Sequence, residues 1–423
     1  MKKLLTSAAF ALLLASPAFA DTEIIVTGAT AFRKAAQEAI LAKYSAGVKY
    51  AYNGANLGAS GQAYFTGSFP GFSGTTVIRT TFTGSVEGVR DVTLGNTITC
   101  LDPATNVATT SGASGITSPT VLRVPNYTFS DCATVSTPYD GSSLGGGPCG
   151  VIVFVPVANE GSPARLNNVT KQELASIAQR GRLPLSMFTG LSTDTNQVVF
   201  YTGRNDFSGT RTIQLAEAGY GFINPVTQYF ATQDATPQTT ELRVWPVTLT
   251  TDPTFGATMS TVWNTGVNGN GGYASGGNIQ AVLDDPIAAP GTLIIRNAAG
   301  TNVTASQAGT GGNHLISILG TSDAATAIAG GARLLSWNGV TFTPSTTTFP
   351  VAEIAKVTKG QYSLWSFENF FYDSVDVSAD EKTNFYDVIF SQLQASIEAT
   401  GAGIAFDSMG TTSRGEDGGP ITP

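Results

Sequence analysis

The amino-acid sequence predicts an α/β fold of mixed sheets with flanking helices, and three observations lead there. Residues 23–26 and 198–201 are short apolar strands, each running through a glycine-containing turn into a helical pattern. Residues 150–157 are a continuous apolar run, the signature of a strand buried on both faces, an arrangement parallel sheets favour, and residues 314–319 read as a second buried strand. The chain between these runs is long enough for a second domain, so they read as crossovers that leave a first domain and return to it. A chain of 423 residues makes roughly two to three domains by length.

In chain order, residues 1–20 read as a secretory signal. Lys2 and Lys3 give the charged start, residues 4–15 the apolar stretch, and Ala18-Phe19-Ala20 the cleavage site. The mature chain would begin at Asp21 as an exported protein, periplasmic or released, with no Cys at the cleavage point to carry a lipid anchor. No later apolar run reaches the ~18 residues of a membrane span, so no membrane insertion is expected.

The first strand runs into Gly28-Ala29-Thr30-Ala31-Phe32-Arg33 and then a helix carrying Ala35, Ala36, Ala39, Ile40, Leu41 and Tyr44. Residues 75–82 alternate like a strand. Gly84-Ser85 opens a short helix in which Ser85 is the natural N-cap and Arg90 can pair with Glu87 one turn back. Residues 93–124, rich in Thr, Ser and Gly, read as a surface insertion. Residues 127–132 return to a strand end with Asp131 at its tip, and a polar glycine-rich loop at 138–147 leads to the first crossover.

Beyond it, Thr170-Lys171-Gln172-Glu173 is a capping box opening a helix, and residues 241–250 alternate like a strand. Ser275 caps a helix at 278–283, and residues 291–302 look like an inserted hairpin. After the return crossover come a short helix at 324–328 and strand material at 333–337 and 360–367. Ser378-Ala379-Asp380-Glu381 opens an amphipathic helix with Phe385, Val388, Ile389, Leu393 and Ile397 along one stripe. The polar tail, residues 409–423, is expected to stay unstructured.

Charge and composition narrow the chemistry. The formal charge of −8 becomes −10 once Lys2 and Lys3 are removed, which disfavours nucleic acid and anionic membranes as partners. Charged residues make up 12% of the chain, about half the usual share, and suit an exported protein with many loops and β segments. Cys100, Cys132 and Cys149 are an odd set in an oxidising compartment, so one disulfide and one free thiol are expected, with the pairing open. With one histidine and no Cys-x-x-Cys spacing, a structural zinc site is not expected. A Ser-His-Asp hydrolase would need His314, which stands at the entry to an apolar strand.

One stretch organises the rest: Gly203-Arg204-Asn205-Asp206-Phe207-Ser208-Gly209-Thr210-Arg211. A Ser-Gly-Thr helix start offers two hydroxyls, free backbone N–H groups and the positive end of the helix dipole. Arg204 adds a full charge and a planar fork of donors, which makes an oxyanion site. Asp206 would repel a bare anion but can accept a hydrogen bond from one that keeps a proton, and phosphate is the commonest such ion.

Together, the three strand–turn–helix units and the strand-tip Asp131 resemble, in their order, the phosphate-binding periplasmic proteins, the solute receptors of phosphate ABC importers. Arg204, Asp206, Ser208, Gly209 and Thr210 stand where that family has Arg, Asp, Ser, Gly and Thr. Ser85 matches the Ser of its second turn, and Asp131 its strand-end Asp. Gly28-Ala29-Thr30-Ala31-Phe32 is similar to its first turn, with Thr30 one place early and the Phe32 backbone N–H as a donor.

The resemblance implies a two-lobed type II periplasmic-binding-protein fold with two crossover hinge strands. Lobe 1 would comprise residues 21–155 and 314–408, and lobe 2 residues 156–313. It implies a phosphate ion swallowed between the lobes by hinge closure, an ABC permease in the inner membrane as partner, a monomer, no cofactor and no metal. Asp131, supported by Asp206, would accept the ion's proton and so reject sulfate. No bond is broken in this scheme, so it describes a binding protein and not a catalyst. The rival readings are an exported structural or adhesion protein on the same fold, a receptor for another oxyanion, and a phosphate-ester hydrolase. Glu87, Ala31 and the Gly/Ser/Thr-rich insertions favour the first of these.

Overall fold

The computed structural model describes residues 22–103, 111–233, 237–246, 262–263 and 267–422. The expected signal and its cleavage site lie outside the described residues, as do residues 247–250 of the expected strand at 241–250. Among the described residues no helix is long and apolar enough to cross a membrane.

The architecture hangs on one 15-residue strand, Leu144–Ala158. Its beginning pairs with Trp365–Asp373, from Leu144 opposite Asp373 to Val153 opposite Trp365. Its end pairs with Gly312–Gly320, from Phe154 opposite Gly320 to Ala158 opposite Ile316. Beyond Trp365–Asp373 the sheet continues through Tyr127–Ser130, Thr22–Gly28, Thr76–Thr81, Gln62–Gly67 and Lys49–Tyr52. Beyond Gly312–Gly320 it continues through Gln197–Tyr201 to Arg182–Pro184. The shared strand thus carries both halves of one mixed, 13-stranded sheet.

Apolar burial follows that division. Ile24, Val26, Phe32, Ile40, Phe65, Phe129, Phe370 and Ile389 form one core on the first half. Val153, Val155, Leu174, Ile177, Phe200, Ile213 and Ile318 belong to a second, larger core. Thr170 makes the full capping box with Glu173 at the start of Lys171–Arg180. Ser378 accepts the Glu381 N–H, and Phe385, Ile389, Leu393 and Ile397 are wholly buried along the helical segment that follows.

Several expectations are corrected. The apolar crossover at 150–157 is antiparallel to both of its neighbours, since a strand shared by two halves meets chain returning from each side. Residues 144–147, expected as loop, already belong to it. Ser85 is the first helical residue and Gly84 the N-cap, because the Ser85 hydroxyl accepts the Asp131 N–H instead of one from its own helix. The insertion at 93–124 is not all surface: Ile98–Leu101 pairs with Thr120–Arg123, and Ile98 and Cys100 pack on Ile25. Residues 291–302 make one strand, Ile294–Arg296, bonded to Thr239–Val244, and the expected hairpin is reduced to a tight turn that brings Asn302 back to Arg296 in an antiparallel bridge. No disulfide forms: Cys100, Cys132 and Cys149 are free thiols, buried in three different apolar clusters.

The tail is ordered as well. Ser413–Arg414 pairs with Ile421–Thr422, and between them Asp417 accepts the Ala133 N–H at 2.8 Å. Arg414 is buried over the Trp365 ring at 4.1 Å, with an ion pair to Glu217 and a hydrogen bond to the Ser363 carbonyl. The Arg414→Ala variant leaves the buried Glu217 without its cation. It is expected to lose about 3 kcal/mol of stability, read as a lower denaturant midpoint. An unshifted midpoint would mean that the tail is not fastened there.

Candidate functional site

The second half presents the helix Gly209–Glu217, capped by Ser208, whose hydroxyl accepts the Arg211 N–H. The preceding turn is tied down by Thr202 donating to the Tyr229 carbonyl and by the Asn205 N–H donating to the Tyr273 carbonyl. Arg204 lies within this turn at 2% exposure, its Nε donating to the Tyr273 carbonyl and its Nη2 to the Ala274 carbonyl. Two of five guanidinium donors are so used, and the fork is held rigid with donors to spare. The first backbone N–H groups of the helix have no partner within it.

The first half brings Ser85 and Asp131 against this helix start. Asp131 is fixed from both sides, its N–H donating to Ser85 Oγ and its carbonyl accepting from Ser366 Oγ. Thr210 Oγ1 donates to Asp131 Oδ2 at 3.3 Å across the halves. The Val86 N–H donates to the Phe207 carbonyl at 3.0 Å, and the Arg90 guanidinium lies over the Phe207 ring. Gly209 sits so close that a Cβ there would stand 2.5 Å from Ser85 Oγ and 2.7 Å from the Asp131 Cβ. The two halves are closed on each other at this point.

The cluster is polar and buried. Ser85, Asp131, Arg204, Ser208 and Thr210 are each 2% exposed or less, and Asp131 Oδ1 is buried without a partner. Burial pushes the Asp131 carboxyl up, against the pull of Glu368, Arg204, Thr210 and Ser85. Burial also pulls Arg204 down to about 10, with Asp131 and Asp323 opposing. A fixed cation, a helix start and an orphaned carboxylate oxygen can together hold an oxyanion that carries a proton.

Not every expected residue joins the cluster. Asp206 turns away from Asp131 toward Arg211 and Arg90, on a cavity of about 390 Å³ that Val86, Pro138, Phe222 and Pro225 also line. The physical reason is that Arg211, anchored on Asn270, draws the carboxylate to the outer side of the turn. The Phe32 N–H, expected as a ligand donor, closes a turn onto the Ala29 carbonyl at 3.3 Å, while its ring is buried against Phe129. Thr30 is 7% exposed, and Ala31 lies beside Gly320 at the end of the return strand.

Sequence reasoning missed Tyr273 and Ala274, whose carbonyls orient Arg204, as well as Asp323 and Glu368. A carbonyl leaves no trace in composition. Glu368 was visible as a lone acid in an aromatic strand. His314 pairs with Gln197 at the far end of the Gln197–Tyr201 strand, and burial pulls it down to about 4, so it is neutral and remote from the cluster. Among the described residues no group of three or more His, Cys, Asp or Glu is placed to hold a metal ion.

No protein-family model and no curated protein matches the chain. Among solved structures, it is similar to an ABC-type phosphate transport receptor from Vibrio cholerae, at 10% identity and a TM-score of 0.41 over 89% of this chain and 99% of that one. It is also similar to PstS from Borrelia burgdorferi, at 12% identity and a TM-score of 0.32 over 88% and 97%. A third, described as a possible phosphate binding protein from Planctomyces limnophilus, gives 8% identity and a TM-score of 0.39 over 92% and 96%. Likeness at this level carries no functional argument, and what the cluster does rests on its own residues.

Proposed function

We propose that the protein is an exported solute receptor that closes on one phosphate ion between its two halves and delivers it to an ABC permease. One observation carries this reading: Arg204 and the Ser208-Gly209-Thr210 helix start from one half meet Ser85 and Asp131 from the other in a buried cluster. Arg204 and the helix dipole neutralise the ion. Hydroxyls and free N–H groups take its oxygens. Asp131 takes its proton. The Val86–Phe207 hydrogen bond and the stacking of Arg90 on Phe207 keep the halves shut around it. Capture by closure needs no bond to break, and release follows from opening.

Asp131 sets the specificity in this scheme. Sulfate at neutral pH has no proton to give, so it would set a second negative charge against the Asp131 carboxylate with no hydrogen bond between them. An Asp131→Asn variant can donate where the wild type only accepts. Its preference for phosphate over sulfate is expected to fall at least about tenfold, read by calorimetric titration with each anion. An unchanged preference would remove Asp131 from the role, and a folded wild type silent toward both anions would overturn the phosphate reading itself.

A further inference from the structure

Behind Asp131 stands a second acid that no part of the binding scheme uses. Glu368 lies on Trp365–Asp373 one residue before Asn369, which is opposite Ser130, and Asp131 is one residue past Ser130, so the two acids meet just beyond the last pair of the ladder. Glu368 is 0% exposed, and neither of its carboxyl oxygens has a hydrogen-bond donor. Asp131 Oδ1 is orphaned at the end of the facing strand. Three acceptor atoms are thus buried together without a donor. Two adjacent carboxylates cannot both be ionised in such a place, and one shared proton satisfies them.

We propose that Glu368 holds that proton and donates it in a hydrogen bond to Asp131, fixing Asp131 as the unprotonated acceptor that selects a protonated oxyanion. This rests on the phosphate reading and names the residue that sets its specificity. The surroundings decide which partner keeps the proton. Asp131 is stabilised as an anion by Arg204, by the Thr210 hydroxyl and by Ser85. Among the described residues Asp131 is the charged group that acts on Glu368, which in turn raises the thiols of Cys132 and Cys149; Arg90, on the helix packed against its strand, pairs with Glu87 and Asp91, and Arg414, over Trp365 of the same strand, pairs with Glu217. Burial, and then the facing Asp131, push Glu368 well above the usual carboxylate range. Glu368 is therefore a positioning residue: it acts on the ligand through Asp131.

The test compares Glu368→Gln with Glu368→Leu. The amide keeps a donor toward Asp131, and the alkyl chain removes it, leaving Asp131 to take a proton from water. Titration with phosphate and with sulfate at about pH 6 is expected to give Glu368→Gln a wild-type preference within about threefold, while Glu368→Leu loses at least about tenfold. Infrared spectra of the ligand-free protein near neutral pH should show a protonated-carboxyl C=O band that Glu368→Gln lacks. Because the folded chain favours the protonated acid, wild type should lose stability relative to Glu368→Gln as pH rises above about 5.

A wild-type preference in Glu368→Leu, or an infrared band unchanged in Glu368→Gln, would overturn the proposal. A wild type that binds neither anion would overturn the phosphate reading instead, and the infrared band would still decide where the proton sits.

Discussion

The Arg204→Ala variant is expected to lose phosphate affinity by about 100- to 1,000-fold, close to 3–4 kcal/mol. The alanine removes the full positive charge that, among the described residues, acts on Asp131 across the cluster. It also takes the Arg204 hydrogen bonds from the Ala274 and Tyr273 carbonyls, of which Tyr273 keeps the Asn205 N–H, and leaves room for water where the fork was packed. Part of the loss is therefore the cost of an uncompensated buried anion on the first half, and part is the missing contact with the ion. Arg204→Lys would restore a point charge but not the two-carbonyl anchor, so it should recover only a fraction of the affinity. Calorimetric titration of both variants, with far-ultraviolet dichroism to verify folding, decides the matter. Near wild-type affinity in a folded Arg204→Ala chain would move the ion elsewhere.

The second large effect comes from adding one carbon. Gly209 has no left-handed backbone angle that would demand glycine, so Gly209→Ala strains nothing within its own half. An alanine in the first turn of a helix even favours helix by up to about 1 kcal/mol. The added methyl would stand under 3 Å from Ser85 Oγ, Ser85 Cβ and Asp131 Cβ, all on the opposing half. Only separation of the halves relieves three such contacts at once. The variant should keep a wild-type melting temperature within a few degrees but bind phosphate about 100-fold more weakly, with less compaction on ligand addition in small-angle scattering. Tight binding with full compaction would show that the halves close without meeting at Gly209.

What the sequence disclosed and what it hid have physical grounds. Periodicity, caps and turn chemistry are local, so the Gly209–Glu217 helix with its Ser208 cap, the Thr170 capping box and the Phe385–Ile397 stripe were legible. Strand direction is not local. An apolar run reads the same whichever way its neighbours point, so residues 150–157 suggest a parallel strand although the strand they belong to is antiparallel. Asp206 and Asp131 look alike as acids near an anion loop, and only the position of Arg211 separates them. Cysteine parity suggested a disulfide because it cannot register that the three thiols are buried in separate clusters. Tail composition looked too polar to pack, yet Arg414 needs only Glu217 and the Trp365 face, which lie far off in sequence.

The pairing of Tyr127–Ser130 with Trp365–Asp373 carries a consequence in time. The Ser366 hydroxyl that holds the Asp131 carbonyl is separated from it by 235 residues of chain. Until the late strand arrives, the early one has an open edge, and the first half cannot finish its sheet. Ordering so distant a contact is slow, because a long loop must close before any bond rewards it. A first half built this way completes its share of the binding surface only after most of the chain has been made.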